Sequence, residues 1–197
     1  ARIISLIPSN TEILFGLGLD EQIIAVNDND NYPEQALAKE KVGGMEFNLE
    51  QIIALQPDLV FAHESNLYRF NEEAIAQLEA IGITVFVVKD AKTFEETYTT
   101  IAQIGQMTNK VQQADEMIAS IKTGIDEIEV KVADLEEKSV FIVVGTAPDL
   151  YAAGQETFIN EMLEVLEVEN AVPELGWPQY SAEQFVASNP DAILVTY

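Results

Sequence analysis

The chain of 197 residues contains no cysteine and a single histidine. Without thiols it can form no disulfide, hold no iron–sulfur cluster and use no cysteine nucleophile. One imidazole is also too few for the zinc or manganese sites that several histidines build. The sequence excludes these kinds of site, and we expect no bound cofactor, no metal ligands and no catalytic residues.

Basic residues are scarce as well. The chain has 10 Lys and Arg residues and 34 Asp and Glu residues, which gives a formal net charge of −24. A protein that neutralises phosphates needs a basic face, so nucleic acid is excluded as a partner. Two interpretations of the acidity remain: a solvated surface kept soluble by charge repulsion, or attraction to a cationic partner surface. No apolar run approaches the roughly 18 residues that span a bilayer, and we expect any export signal to have been removed.

One long helix is predicted over residues 109–138. Its apolar side chains recur at steps of three and four, the period of one helical face, and charged residues fill the other positions. No proline interrupts it, and only Gly124 weakens it. At 1.5 Å per residue it would extend about 40 Å, too long for one small lobe to cover. We therefore interpret it as a connection between two halves of the chain.

The two halves contain a matching segment. Residues 48–64, NLEQIIALQPDLVFAHE, align without gaps with residues 181–197, SAEQFVASNPDAILVTY. Both copies read as a polar cap, an amphipathic helix, a Pro-Asp break and a continuous apolar strand. An apolar strand followed by a helix also opens each half, at residues 2–9 and 139–146. The pattern predicts two similar α/β lobes.

The predicted fold is α/β, with two Rossmann-like lobes that contain parallel sheets and are joined by one long rigid helix. We place the N-terminal lobe at residues 1–92, the connecting helices at residues 93–138 and the C-terminal lobe at residues 139–197. A further helix and strand follow the repeated strand in the first lobe, and nothing corresponds to them in the second. We expect the second lobe to be truncated at its C-terminus, with an open sheet edge at residues 193–197 that promotes domain swapping, dimerisation or poor order at that side.

Candidate ligand residues lie at the carboxyl ends of the predicted strands, where parallel α/β sheets gather their ligands. Ser9 is predicted to cap the first helix, with Glu12 completing a capping box. The loop NDNDNYPE is interpreted as solvated, because it lacks the glycine and the closing glutamate of a calcium loop. Tyr32 is the large apolar group of that loop, and His63 and Glu64 follow the next buried strand.

The only tryptophan, Trp177, stands between Gly176 and Pro178, which predicts a ring presented by extended backbone rather than by a helix. The ring either serves binding or packs on its own lobe. The strand ends offer aromatic rings and amides, but no nucleophile elbow, phosphate loop or Ser-His-Asp order, so binding explains them better than catalysis. The candidate ligand-binding residues are Ser9, Asn10, Tyr32, His63, Glu64 and Trp177.

Five segments carry a resemblance to a known family: RIISLIPSNTEILFGLGLDEQIIAV, NYPE, KVGG, NLEQIIALQPDLVFAHES and WPQYSAEQF. Together they resemble the substrate-binding proteins of vitamin B12 and iron-siderophore ABC importers, most of all the B12-binding members, over essentially the whole chain. The resemblance implies an extracytoplasmic protein, periplasmic or lipid-anchored, with no catalytic activity. Such a protein clamps a corrinoid such as cobalamin between two lobes and delivers it to an ABC importer permease.

The resemblance also assigns roles to single residues. Tyr32 and Trp177 match aromatic residues that line the corrinoid cleft, whereas His63 stands where B12-binding members have a tryptophan. An imidazole there would suit haem or a ferric siderophore, so these remain alternative ligands. Glu72 and Glu183 match two glutamates that dock onto basic residues of the permease; otherwise they are ordinary exposed carboxylates.

Two other classes remain open. A corrinoid or metal-cofactor enzyme subunit can also pair Rossmann-like lobes, although the lack of thiolates counts against a metal cluster. A purely structural or adhesive pair of lobes would bind no small molecule and would expose an apolar patch.

Overall fold

A computed structural model describes residues 1–44, 46–68, 70–146 and 148–196. The chain divides into two compact units. The first consists of Ala1–Asp90 and Thr100–Met117, and the second of Ala91–Thr99 and Ile118–Tyr197. Each unit has its own sheet and its own hydrophobic core.

The first unit is built on a parallel sheet of five strands in the order β3-β2-β1-β4-β5. Its strands are β1 (Ile3–Ser5), β2 (Ile23–Val26), β3 (Glu40–Lys41), β4 (Leu59–His63) and β5 (Thr84–Val88). Its helices are α1 (Pro8–Gly16), α2 (Leu49–Ala54) and α3 (Glu72–Ala80), with short 3-10 helices at Asp20–Gln22, Glu34–Ala38 and Glu64–Asn66. The alternation of strands and helices confirms the predicted α/β class.

Strand β4 lies inside this sheet. It pairs with β1 on one edge and with β5 on the other, and all five of its residues are buried. Phe61 at its centre is fully buried, and Val60 packs in a core with Ile4 and Leu78. A continuous apolar run is what a strand covered on both faces requires, which is why the sequence pattern identified it.

Two helices, α4 (Phe94–Met107) and α5 (Val111–Val132), follow the first sheet, and each has residues in both units. With 22 residues, α5 extends about 33 Å. The predicted helix was too long, because residues 133–138 lie outside α5. Among the helices of the described residues, none combines the length and the apolar character that crossing a membrane requires.

The second unit contains a mixed sheet in place of the predicted parallel one. Its elements are β6 (Ser139–Gly145), β7 (Leu150–Ala152), α6 (Phe158–Val165), β8 (Glu169–Asn170), β9 (Gln179–Tyr180), α7 (Ala182–Ser188) and β10 (Ala192–Val195). Strands β8 and β10 pair with β6 in parallel, whereas β7 pairs antiparallel with both β6 and β9. The connection at residues 146–149 is too short for a parallel crossover, so the chain returns antiparallel.

Strand β10 lies at the edge of the second sheet in the described part of the chain. All four of its residues are exposed, including Ile193, Leu194 and Val195. Of the predicted open edge at residues 193–197, residues 193–195 belong to this strand, Thr196 follows it, and Tyr197 lies outside the described residues.

Candidate functional site

Three asparagine side chains hold together the carboxyl edge of the first sheet. The side-chain amide of Asn10, on α1, donates to the carbonyl of Ala62 at 3.1 Å. Asn27 and Asn66, which follow β2 and β4, both donate to the carbonyl of Leu6, at 3.0 and 3.1 Å. Each bond joins one strand end to an element that follows another strand. The segments after β1, β2 and β4 are therefore fixed to one another within this unit.

The predicted cap of the first helix is wrong. α1 begins at Pro8, and its N-cap is Ile7, whose side chain makes no capping bond. Proline suits the first helical position because its missing N–H would have no helical partner there. Ser9 is exposed on the first turn, whereas Asn10 is buried. Of these two predicted ligand residues, only Ser9 is accessible.

The polar loop at residues 27–32 is exposed at residues 28, 29, 31 and 32, as its composition predicted, but not at its other two positions. Asn27 is buried, and Asp30 is only 1% exposed. Asp30 Oδ2 accepts hydrogen bonds from the Thr11 hydroxyl at 2.6 Å and from the Asn27 N–H at 3.1 Å. Burial raises the pKa of the Asp30 carboxyl, and these bonds and the charge of Lys41 oppose that rise. Sequence reasoning missed the pairing; its only signal was that both polar groups follow buried strands.

Tyr32 lies at the end of that loop and is exposed. The residue is 66% accessible, and its peptide bond to Pro33 is cis. The 3-10 helix Glu34–Ala38 follows directly. The predicted aromatic ligand residue thus lies on the surface of the first unit, two residues after the buried Asp30.

His63 ends β4, as predicted, but its ring is buried and engaged. Nδ1 accepts a hydrogen bond from the N–H of Ser65 at 3.1 Å, and the Ser65 hydroxyl lies 2.8 Å from the same nitrogen. The ring proton therefore sits on Nε2, 3.9 Å from Asp90 Oδ1. Burial lowers the pKa of His63, while the carboxylates of Asp90 and Glu64 oppose that. Nδ1 is thus hydrogen-bonded within this unit, whereas Nε2 is near Asp90 but beyond hydrogen-bond distance.

Glu64 joins the ends of two neighbouring strands. Its Oε2 accepts the N–H of Asp90 at 3.0 Å, which connects the residues after β4 with those after β5. The residue is exposed, so this carboxylate is accessible at the carboxyl edge of the sheet.

Trp177 lies in a tightly bonded loop of the second unit. Gly154 N–H donates to the Gly176 carbonyl, and Gly176 N–H donates to the Gln155 carbonyl, both at 2.8 Å. A Cβ on Gly154 would lie 2.0 Å from the carbonyl oxygen of Glu174, so only glycine fits there. Trp177 itself is 56% exposed. A loop held by backbone hydrogen bonds therefore presents Trp177 to solvent.

A cavity of about 520 Å³ also lies within the second unit. Its described lining includes Lys92 and several glutamates but none of the predicted ligand residues. Among those glutamates, Glu161 accepts the N–H of Phe94 at 2.7 Å, and burial raises the pKa of its carboxyl. Across the part of the chain that the structure describes, no three His, Cys, Asp or Glu side chains are arranged to hold a metal ion. We assign no ligand to this cavity.

Glu72 and Glu183, the predicted docking residues, are both exposed in the first turn of a helix. Glu72 opens α3 after its cap Asn71, and Glu183 is the second residue of α7 after its cap Ser181. A carboxylate is favourable there because it faces the positive end of the helix dipole. The repeat pairs Glu183 with Glu50 on α2, so the two predicted docking residues are not equivalent by the repeat.

Two curated relatives match nearly the whole chain. One is the "Uncharacterized ABC transporter substrate-binding lipoprotein YvrC" of Bacillus subtilis (strain 168), 45% identical over 99% of this chain. The chain spans 63% of that relative's length, which is just under two thirds. The other is a "Vitamin B12-binding protein" of Pectobacterium atrosepticum, 32% identical over 98% of this chain and 71% of the relative.

A solved structure has the same fold. It is described as a possible iron-binding (periplasmic solute-binding) protein from Staphylococcus epidermidis ATCC 12228, with 40% sequence identity and a TM-score of 0.89. The match covers 99% of this chain and 76% of that one. The profile of the family described as "Periplasmic binding protein" matches residues 3–197. Sequence profile, relatives and fold therefore agree: the chain belongs to the periplasmic binding protein family.

Proposed function

We propose that this protein is the extracytoplasmic substrate-binding component of an ABC importer and that its ligand is a corrinoid such as cobalamin. The observation that carries the proposal is one exposed aromatic residue in each unit, Tyr32 in the first and Trp177 in the second, each on a loop that hydrogen bonds fix. Rigid aromatic side chains supply a large contact area for a macrocycle at a low cost in conformational entropy. The relative named as a vitamin B12-binding protein supports this choice of ligand.

Polar contacts complete the proposed site. Ser9 and Glu64 are exposed at the carboxyl edge of the first sheet, where a hydroxyl and a carboxylate can bond the amide groups at the periphery of a corrinoid. Asn10 and His63 are buried, so they contribute by fixing the loops around them. The protein would act outside the cytoplasmic membrane, periplasmic or held by a lipid anchor, as the word lipoprotein in the name of the Bacillus subtilis relative suggests.

Haem or a ferric siderophore is the second candidate ligand. It is favoured by the 40% identical Staphylococcus epidermidis protein, which is described as possibly iron-binding. The burial of His63 counts against haem, because the residue is only 7% exposed and its Nδ1 already accepts from Ser65 N–H. An axial bond from Nε2 to haem iron would require the iron to reach a buried ring.

Isothermal titration calorimetry with cyanocobalamin, haemin and a ferric hydroxamate siderophore tests the choice of ligand. We expect cyanocobalamin to bind, and Tyr32→Ala and Trp177→Ala each to weaken that binding roughly 10- to 100-fold, because truncated aromatic contacts are typical hot spots. Val186→Ala, which shortens an exposed apolar side chain on α7, is the control and should change nothing. Binding of none of the three ligands would refute the proposal.

The visible spectrum of added haemin separates the two ligands further. Wild type and His63→Ala should give the same haemin spectrum, because the imidazole is held by its own unit. A six-coordinate spectrum that disappears in His63→Ala would favour the haem alternative. Turnover of a bound corrinoid with a reductant would instead favour an enzyme subunit.

Docking to the permease is proposed for Glu72 and Glu183. If each carboxylate pairs with a basic residue of the permease, its loss removes a charge-assisted hydrogen bond worth about 1.5–3 kcal/mol, or roughly 10- to 100-fold in affinity. Transport in reconstituted vesicles should therefore fall in Glu72→Ala and Glu183→Ala while ligand affinity is unchanged. Glu73→Ala and Glu50→Ala are matched controls, since both remove exposed carboxylates from a first helical turn. Normal transport in both docking variants would refute these roles.

A further inference from the structure

The loop at residues 27–32 contains a carboxylate that no ligand can reach. Asp30 is 1% exposed, and its Oδ1 is buried with no hydrogen-bond partner among the described residues. What the carboxylate does is therefore shown by the bonds of its other oxygen.

The other oxygen of Asp30 joins three elements. It accepts from Thr11 on α1 at 2.6 Å and from Asn27 N–H at the end of β2 at 3.1 Å. The Thr11 hydroxyl also lies 2.7 Å from the hydroxyl of Ser5, the last residue of β1. One carboxylate therefore fixes the loop to the central strand and to the first helix.

Lys41 fixes the same loop from β3. Its ammonium group donates to the carbonyl of Asp30 at 2.8 Å and to the carbonyl of Asn27 at 3.2 Å. A third bond, at 3.3 Å, reaches the carbonyl of Ala36 in the 3-10 helix after Tyr32. The backbone on both sides of Tyr32 is thus tied to the sheet, although the Tyr32 ring is exposed.

We infer that Asp30 is a positioning residue for ligand binding: through Thr11 and the Asn27 amide it holds the loop so that the ring of Tyr32 is already placed for the ligand. The inference rests on the proposed function, because it assumes that Tyr32 contacts the ligand. Asp30 itself touches no ligand. A preordered loop loses less conformational entropy when the ligand binds, and that difference appears as affinity.

A double-mutant cycle on cyanocobalamin affinity tests the inference. Asp30→Ala should weaken binding about 10-fold in the wild-type background and less than about 2-fold in the Tyr32→Ala background, because its effect passes through that ring. A merely structural role would weaken binding equally in both backgrounds. Equal effects, or no effect of Asp30→Ala on wild type, would overturn the inference.

Variants of Thr11 provide a second route if Asp30→Ala does not fold. Thr11→Val removes the donor to Asp30 with little change in shape and should weaken binding about 3- to 10-fold. Thr11→Ser keeps the hydroxyl and should restore wild-type affinity. If Thr11→Ser binds as poorly as Thr11→Val, the hydroxyl is not the cause and the inference is overturned.

Hydrogen exchange gives a readout that needs no ligand. In Thr11→Val the backbone N–H of Asn27, which donates to Asp30 Oδ2, should exchange faster than in Thr11→Ser. Unchanged exchange would contradict the positioning role.

If wild type binds neither cyanocobalamin nor the iron ligands, the proposed function fails and this inference fails with it. If wild type binds and Tyr32→Ala weakens binding while the Asp30 and Thr11 variants do not, only the inference fails.

Discussion

The two copies of the repeated segment fold alike but lie in different surroundings. Asn48 caps α2 and Ser181 caps α7, each by accepting the N–H of the residue three positions later. In the Pro-Asp break, Asp58 accepts the N–H of Arg2 at 2.6 Å, and Asp191 accepts the N–H of Ser139 at 2.8 Å. Each aspartate thus joins the repeated strand to the strand that opens its half of the chain.

The two copies differ in how deeply their strands are buried. Strand β4 has a neighbour on both edges and is buried throughout, whereas β10 pairs with β6 and all its residues are exposed. Local sequence therefore determined the cap, the helix and the break in both copies. The elements packed around each strand determined whether its apolar residues form a core.

The largest expected difference between the copies is in the stability lost when the matched residues Phe61 and Leu194 are shortened. Phe61 is fully buried, whereas Leu194, its equivalent, is 52% exposed. Phe61→Ala should lower the free energy of unfolding by about 3–5 kcal/mol, because it leaves a cavity. Leu194→Ala should cost less than about 1 kcal/mol, because that side chain has little burial to lose. Urea unfolding followed by circular dichroism measures both, and similar losses would contradict the assigned burial.

The helix caps should respond equally in the two copies. Asn48→Ala and Ser181→Ala each remove a side-chain acceptor from an exposed helix N-terminus, which typically costs about 1 kcal/mol. Replacement by aspartate keeps an acceptor and should restore stability. A cap that matters in one copy only would show that the tertiary surroundings, rather than the local sequence, stabilise that helix.

Asp191 predicts a dependence of stability on pH. The hydrogen bonds from the Ser139 amide and hydroxyl lower the pKa of Asp191 below its ordinary value of 3.8. Because the folded pKa is the lower one, the stabilising contribution is complete above the ordinary pKa and is lost as the pH falls through the folded pKa. Asp191→Asn should therefore unfold at a urea midpoint that changes less with pH below about 4 than that of wild type. Asp134→Asn, at an exposed position after α5, is the control and should retain the wild-type dependence.

Much of the first unit was predictable because local signals and tertiary structure agree there. The buried strand at β4, the break at Pro57-Asp58 and the helix α3 were all identified from periodicity and turn residues. The cap at Ser9 was wrong because Pro8 is favoured at the first helical position and a serine at the second turns toward solvent. The burial of Asp30 escaped prediction because it depends on Thr11, which is distant in sequence.

The second unit was harder to predict for a different reason. Strands β7, β8 and β9 have two or three residues each, too few to show a period. Strand β7 pairs antiparallel with β6 and β9, and β8 pairs in parallel with β6, so the mixed sheet depends on strands that are distant in sequence and no local pattern indicates it. Among the site residues, the glycine and proline beside Trp177 indicated that a loop presents its ring, but the exposure of Tyr32 and the hydrogen bonds of His63 did not follow from their sequence neighbours.

The smallest change in folding free energy is expected at the edge strand β10, where self-association should change instead. Ile193, Leu194 and Val195 are exposed on a strand that has β6 as its only described neighbour, and such edges pair with other chains. The 197-residue chain should therefore form dimers that Ile193→Lys suppresses, because a lysine on the edge opposes strand pairing. The urea midpoint of Ile193→Lys should hardly differ from that of wild type, since Ile193 is already 54% exposed.

Sedimentation velocity over a range of concentrations measures the self-association. Val130→Lys on α5 is the control, because it places the same charge at an exposed apolar position away from the edge. A wild-type chain that stays monomeric at high concentration would show that the exposed edge does not drive association.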